Sequence, residues 1–251
     1  MALAPLGALN RLLFSHVFVI VSFGRAYGIS LQRAARDSGA EQTVIACVGD
    51  SVTRGTRGVP YPEQLQELLG SRFVVKNFGL SGATALKDAA PRPNLNTRSY
   101  WNSSEEYAQA LQSQPDIVVM MFGTNDRASR MFNLTTFKVD YLSLIDTFIE
   151  LPSSPLVFLA APPPVYWKNI TESMEAVSLS VQAIADERHL PPIIDVRSMF
   201  MAHCSASNFS IDANASHCDW MDPGGVHPKG LGNSVIAHLV AKSVLLSRLP
   251  A

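Results

Sequence analysis

The chain has 251 residues, 47% of them apolar and 16% charged, with 20 basic against 21 acidic side chains. That balance suits a packed α/β domain and excludes a disordered chain. Lacking a basic surplus, it also excludes nucleic acid as a partner.

Residues 1–28 stand apart from the rest. MALAPLGALNR carries one base, LLFSHVFVIVSF is apolar, and Ala26-Tyr27-Gly28 offers small residues at a spacing suited to cleavage. The pattern is that of a secretory signal peptide ending at Gly28, with a retained anchor or a buried helix as the other readings. The apolar run falls short of the roughly 20 residues of a membrane span. Removal takes Arg11 and Arg25 and no acid, leaving 18 basic and 21 acidic residues, a formal −3. No later run is long and apolar enough to cross a bilayer. Residues 29–251 are expected to form a single, monomeric domain, with a polar lead-in from Ile29 to Gln42.

Five acceptor sequons support the secretory reading, at Asn102, Asn133, Asn169, Asn208 and Asn214. If glycosylated, these asparagines lie at the surface. Five apolar runs rich in β-branched or aromatic residues then mark strands: Thr43 to Val48, Phe73 to Phe78, Asp116 to Met121, Pro155 to Ala160 and Ile193 to Val196. Between them lie helical patterns, one near Pro62, one near Glu105, and one on the stripe Phe137, Tyr141, Leu144, Ile145 and Phe148. Another follows Thr171, and Pro228 to Leu249 reads as a last helix with proline in its first turn. Such alternation predicts a three-layer α/β/α sandwich around a five-stranded parallel sheet.

Cys204 and Cys218 bracket a polar, turn-rich segment, and a disulfide between them would clamp it. Cys47 lies inside the first strand and reads as a buried thiol. Asp212, His217, Asp219 and Asp222 crowd together, yet their spacing matches no standard metal site, so neither metal nor cofactor is expected.

In a parallel sheet of this kind, ligands bind beyond the carboxyl ends of the strands, so the residues just after each strand matter most. The first strand ends in Gly49-Asp50-Ser51, which places Ser51 where a helix starts, as an ordinary cap or as a nucleophile beside backbone N–H groups. The second ends in NFGLSGAT, where Gly82 allows close approach, and the third in FGTND, which offers the Asn125 amide. Both are also common turn chemistry. His227, in the Gly/Pro-rich DPGGVHPKG, is the histidine best placed to serve Ser51 as a base. His189 and His238 fall in helical stretches, and His203 and His217 flank the cysteines. Trp101, Tyr166 and Trp167 offer an aromatic platform for a sugar or are ordinary packing.

Gly49-Asp50-Ser51, Asn77-Phe78-Gly79-Leu80-Ser81-Gly82, Gly123-Thr124-Asn125-Asp126 and His227-Pro228 together resemble the motif blocks of the SGNH (GDSL-type) hydrolase superfamily. They occur in order over nearly the whole chain after residue 28. The chain is most similar to members described as sialate or carbohydrate O-acetylesterases. The resemblance implies a serine esterase acting through an acyl-enzyme, with Ser51 as nucleophile and His227 as general base, which the signal-peptide pattern makes a secreted or vesicular one. It makes Ser51, Gly82 and Asn125 the oxyanion donors and a small-molecule or glycan ester the substrate. One position departs from the pattern: three residues before His227, where the superfamily usually has an aspartate, stands Gly224. Asp222 is expected to serve instead, with Asp219 or a backbone carbonyl as the other ways to orient the ring. Lysophospholipase or thioesterase activity, and a non-catalytic carbohydrate-binding protein on the same fold, are the competing functions.

Overall fold

The computed structural model describes residues 42–90, 96–101, 104–166, 171–206 and 218–249. The proposed signal peptide, the sequons at Asn102, Asn169, Asn208 and Asn214, and Trp167, Asp212 and His217 lie outside the described residues. Asn133 is described: it is exposed and caps a helix, its Oδ1 accepting from Thr136 N at 2.8 Å.

Five strands form one parallel sheet: β1 (Thr43–Gly49), β2 (Phe73–Gly79), β5 (Ile117–Met121), β6 (Leu156–Ala161) and β7 (Ile194–Asp195), in the order β2-β1-β5-β6-β7. β1 runs Cα to Cα against β2 from Thr43↔Phe73 to Gly49↔Gly79 and against β5 from Ile45↔Ile117 to Gly49↔Met121. A two-residue parallel pair, β3 (Ala83–Thr84) with β4 (Arg98–Ser99), stands apart from this sheet.

The helices are α1 (Ser51–Arg54), α2 (Tyr61–Leu69), α3 (Glu105–Gln112), α4 (Leu134–Ile149), α5 (Thr171–Glu187), α6 (Val196–Ala206) and α7 (Gly230–Leu246). Strand alternation divides the core between the two faces of the sheet. Ile45 and Cys47 of β1 pack with Tyr61 and Leu65 of α2, Phe200 of α6 and Ile236 and Val240 of α7. Ala46 and Val48 face the other way, against Ala110 of α3, Phe137, Tyr141 and Phe148 of α4, and Val177 and Val181 of α5. The expected three-layer α/β/α sandwich is thus formed. No helix among the described residues is long and apolar enough to cross a membrane.

Three expectations are corrected. The last helix begins at Gly230 with Lys229 as its N-cap, so Pro228 lies outside it and forms an isolated antiparallel bridge with Met221. The segment from Val196 is a helix, α6, whose Asp195 accepts from Ser198 N at 2.9 Å, which cuts the preceding strand to two residues. His189 follows α5 in a turn with φ of 51° rather than lying in the helix.

Cys204, near the end of α6, is joined to Cys218 by the expected disulfide. Cys47 is fully buried, and that burial pushes its thiol pKa up to about 12, so it stays protonated and inert.

Candidate active site

β1 has β2 on one side and β5 on the other, so crossovers leave its carboxyl end in opposite directions and open a crevice there. Asp50 and Ser51 emerge at that edge. Asp50 is extended and its Oδ1 accepts from Val52 N at 2.8 Å, so Asp50, not Ser51, caps α1. Relieved of the capping bond, the Ser51 hydroxyl lies 3.0 Å from His227 Nε2.

The opposite wall comes from the segment after β2. Close packing of α1 on β2 requires glycine at position 79, because a Cβ there would collide with the backbone nitrogen of Arg54. Gly82 has φ of +80°, and a Cβ on it would strike the Asn96 carbonyl oxygen. Arg98 N donates to Gly82 O at 2.9 Å, which ties this turn to β4. Asn125 arrives from the exit of β5. Its Nδ2 donates to Ala83 O at 3.1 Å and to Asp50 Oδ2 at 3.3 Å, so a bond from this amide to a bound oxyanion would replace one of these.

Between these walls lies a cleft of ≈ 250 Å³ lined by Ser51, Thr56, Ser81, Gly82, Asn96, Asn125 and His227. The structure therefore brings Ser51, Gly82, Asn125 and His227 together at one opening. Thr56, Ser81 and Asn96 were missed by sequence reasoning. The only signal for them was their place in polar stretches beside the glycine and serine motifs.

His227 sits in a tight hairpin held by a set of backbone hydrogen bonds. Asp222 N donates to His227 O at 2.8 Å, Gly225 N to Asp222 O at 2.9 Å, Tyr166 N to Gly225 O at 2.8 Å and Lys229 N to Trp220 O at 3.0 Å. The turn through Pro223-Gly224-Gly225 folds Asp222 back beneath the ring. Its Oδ1 accepts from Val226 N at 3.1 Å and His227 N at 3.2 Å, and its Oδ2 lies 3.6 Å from His227 Nδ1 and 3.5 Å from Arg57 Nε. Asp222 is 5% exposed, and Gly224 stands beside its carboxylate, where an added Cβ would make ordinary contact with Oδ2 at 3.4 Å. Asp219 points elsewhere, to His203 Nε2 at 2.7 Å. The His203 ring stacks on Trp220 at 3.7 Å.

Burial lowers the pKa of His227 from its ordinary value, the Asp222 carboxylate pulls it back up, and Arg57 lowers it. Asp50 and Asp126 are buried at the strand exits, and desolvation raises each to about 7. Asp126 accepts from Leu86 N at 3.0 Å while its Oδ2 finds no partner.

Of the aromatic residues weighed as a platform, Trp101 and Tyr166 do not line the cleft. Trp101 donates through Nε1 to Ala85 O at 2.9 Å, and Tyr166 is buried with its hydroxyl on Phe200 O at 3.3 Å. Near the disulfide, His203, Cys218 and Asp219 bring ligand atoms within 4.8 Å of one another, but the Cys218 sulfur is bonded to Cys204.

A family model described as GDSL-like lipase/acylhydrolase matches residues 47–235. A curated acetylxylan esterase from Xylanibacter ruminicola is 24% identical over 227 residues, which is 80% of this chain and 42% of that protein. The chain thus spans about two-fifths of the length of that relative. Among solved structures, a carbohydrate acetylesterase from Sinorhizobium meliloti aligns with a TM-score of 0.59 at 20% identity, covering 82% of this chain and 100% of that one. A lipase/acylhydrolase from Enterococcus faecalis aligns with a TM-score of 0.58 at 19% identity, covering 84% and 99%. At these identities the structural likeness establishes the fold.

Proposed function

Because the chain belongs to the GDSL-like lipase/acylhydrolase family, we propose that it is a secreted serine esterase that removes acetyl or similarly short acyl groups from carbohydrate. The observation that carries this reading is the cleft: Ser51 and His227 stand 3.0 Å apart at its base, and every residue lining it is polar or glycine. A long acyl chain gains affinity by burying methylenes, at roughly 0.8 kcal/mol each. A wall of Thr56, Ser81, Asn96 and Asn125 has no long aliphatic side chain to enclose such a chain, but offers hydrogen bonds to a polyol. The volume of ≈ 250 Å³ also lies below the roughly 300–1,000 Å³ of pockets for drug-sized ligands. The acetylxylan esterase and carbohydrate acetylesterase relatives support the same substrate class.

In this mechanism Ser51 donates its proton to His227 Nε2 as Oγ attacks the acyl carbonyl carbon. The oxyanion is held by the N–H groups of Ser51 and Gly82 and by the Asn125 amide. The imidazolium, stabilised by Asp222, returns the proton to the sugar oxygen as the ester bond breaks, leaving acyl-Ser51. Water gives its proton to His227, attacks the acyl carbon and frees the acid, and His227 reprotonates Ser51. Asp222 rather than Asp219 is the orienting acid, because Asp219 is engaged with His203. Residues 1–28 act as the signal peptide, residues 29–251 as the mature domain, and the Cys204–Cys218 disulfide suits an oxidising compartment.

The test compares acetylated xylose and glucose, a lysophospholipid and an acyl thioester as substrates of the secreted protein and its Ser51→Ala variant. Acetate release from the sugars, abolished by Ser51→Ala, is expected. Preference for the lysophospholipid or thioester would sink the substrate assignment, and turnover that survives Ser51→Ala would sink the mechanism.

A further inference from the structure

Asp222 Oδ2 faces two nitrogen partners at nearly equal distance, an imidazole and a guanidinium. His227 Nδ1 lies 3.6 Å away and Arg57 Nε 3.5 Å. The other oxygen, Oδ1, is committed to the N–H groups of Val226 and His227. The carboxylate is therefore fixed by its own hairpin, and Arg57 is not needed to orient it. What Arg57 brings is a positive charge on the same oxygen that faces the ring.

Its place there is built into the fold. Arg57 belongs to the loop between α1 and α2, which turns through Gly55 and Gly58, with φ of 81° and 79°. The Arg57 carbonyl accepts from Nδ2 of Asn233, a residue of α7 that is only 1% exposed. A buried amide thus pins to the last helix the backbone that carries this guanidinium. The Arg57 side chain is 62% exposed whereas that of Asp222 is 7% exposed, so an ion pair joins a solvent-facing guanidinium to a buried carboxylate.

We propose that Arg57 is a positioning residue for the Asp222–His227 pair: by sharing Asp222 Oδ2 with His227 Nδ1, it sets how strongly that carboxylate holds the imidazolium. The proposal rests on the reading of Ser51, His227 and Asp222 as a triad. With Arg57 present, part of the carboxylate's field is cancelled and the base gives up its proton more readily. Asp222 from its own hairpin and Arg57 from the α1–α2 loop are the charged groups acting on His227. The neighbours supplied by the other packed elements, Ser51 of α1, Tyr166 after β6 and Asn233 of α7, are uncharged at neutral pH.

The experiment is the pH profile of kcat/KM on 4-nitrophenyl acetate, an uncharged substrate that gives Arg57 no anion to bind. It is measured for the secreted protein, Arg57→Gln, Arg57→Lys and Asp222→Asn, and for Arg57→Gln placed on Asp222→Asn. Circular dichroism melts check that each variant is folded. Arg57→Gln should move the acid limb to higher pH by about half a unit, a threefold lower rate on that limb, while the alkaline plateau stays within about threefold. Arg57→Lys should return the limb toward its original position, and the shift should shrink in 1 M salt, where the Debye length is about 3 Å. On the Asp222→Asn background the exposed Arg57 side chain loses the carboxylate that holds it beside the ring, so Arg57→Gln should move the limb by clearly less than in the parent.

Superimposable profiles for the parent and Arg57→Gln would overturn the proposal. So would a change confined to KM or to the melting temperature, or a shift equally large without the Asp222 charge. If Asp222→Asn keeps full turnover, the triad reading itself falls and this inference with it. If Asp222→Asn is slow and the Arg57 variants are not shifted, only the inference falls.

Discussion

Replacing Asp222 by Asn removes a charge with little change of shape. Oδ1 can still accept from Val226 N and His227 N, so the hairpin should hold, and only the negative charge 3.6 Å from His227 Nδ1 is lost. Two unit charges at that distance attract by about 1 kcal/mol at bulk-water permittivity and about 4–5 kcal/mol at an effective permittivity of 20. Arg57 cancels part of this field, and the His227 side chain is 27% exposed, which places the loss nearer about 2–3 kcal/mol. That is a fall in kcat of roughly 30- to 150-fold. The assay is initial-rate hydrolysis of a short-chain nitrophenyl ester at pH 7.5 by the parent, Asp222→Asn and Asp219→Ala. Asp219→Ala should stay within about twofold of the parent, because its carboxylate is bonded to His203. A large loss in Asp219→Ala with none in Asp222→Asn would refute the assignment. Full activity in both would show that the backbone alone orients the ring.

Other consequences follow from the same geometry. Asn125→Ala should lower kcat by on the order of 10²-fold with KM nearly unchanged; unchanged kcat with a lowered melting temperature would mean that its bonds to Ala83 and Asp50 are its whole role. Burial depresses His227, so kcat/KM should rise along an acid limb whose midpoint lies below the ordinary histidine value of about 6.5, and a midpoint well above it would contradict the burial of the ring. Asp126, raised from 3.8 to about 7 by desolvation, makes folding less favourable as pH climbs from its unfolded pKa toward 7, because the fold resists ionising it. Asp126→Asn should remove its share of that dependence, on the order of a few kcal/mol, and leave the like share of Asp50, so thermal melts at pH 5 and pH 8 should show a smaller drop in the variant than in the parent.

How much of this was legible beforehand depends on the range of the interactions involved. The strands inside the sheet could be read because they are buried on both faces and so written as unbroken apolar runs, as in Ile117 to Met121, whereas the edge strand β2 carries Lys76 and the exposed Asn77. α6 was hidden because Ile193 to Val196 already looks like a strand, and the helix start depends on the Asp195 bond to Ser198 N. The β3–β4 pair has two residues per strand, too few for any period to show. At the site, Ser51 and His227 are 176 residues apart yet could be paired from their places beside a strand exit and a helix start. The cap of α1 was ambiguous between Asp50 and Ser51, since either residue type serves, and only the backbone geometry assigns it to Asp50. Arg57 and Asn96 could not be found from the chain, because their approach to the site is made by packing of the α1–α2 loop on α7 and of β3 on β4.

The central claim is that Ser51 is a nucleophile activated by His227, and a fluorophosphonate probe tests it most directly. The mature protein, shown folded by circular dichroism, is reacted at pH 7.5 and its intact mass and tryptic peptides are measured. The account predicts one covalent adduct per chain, on the peptide containing Ser51, absent from Ser51→Ala and strongly slowed in His227→Ala. A folded protein left unlabelled at Ser51, or labelled at an equal rate without His227, would contradict it.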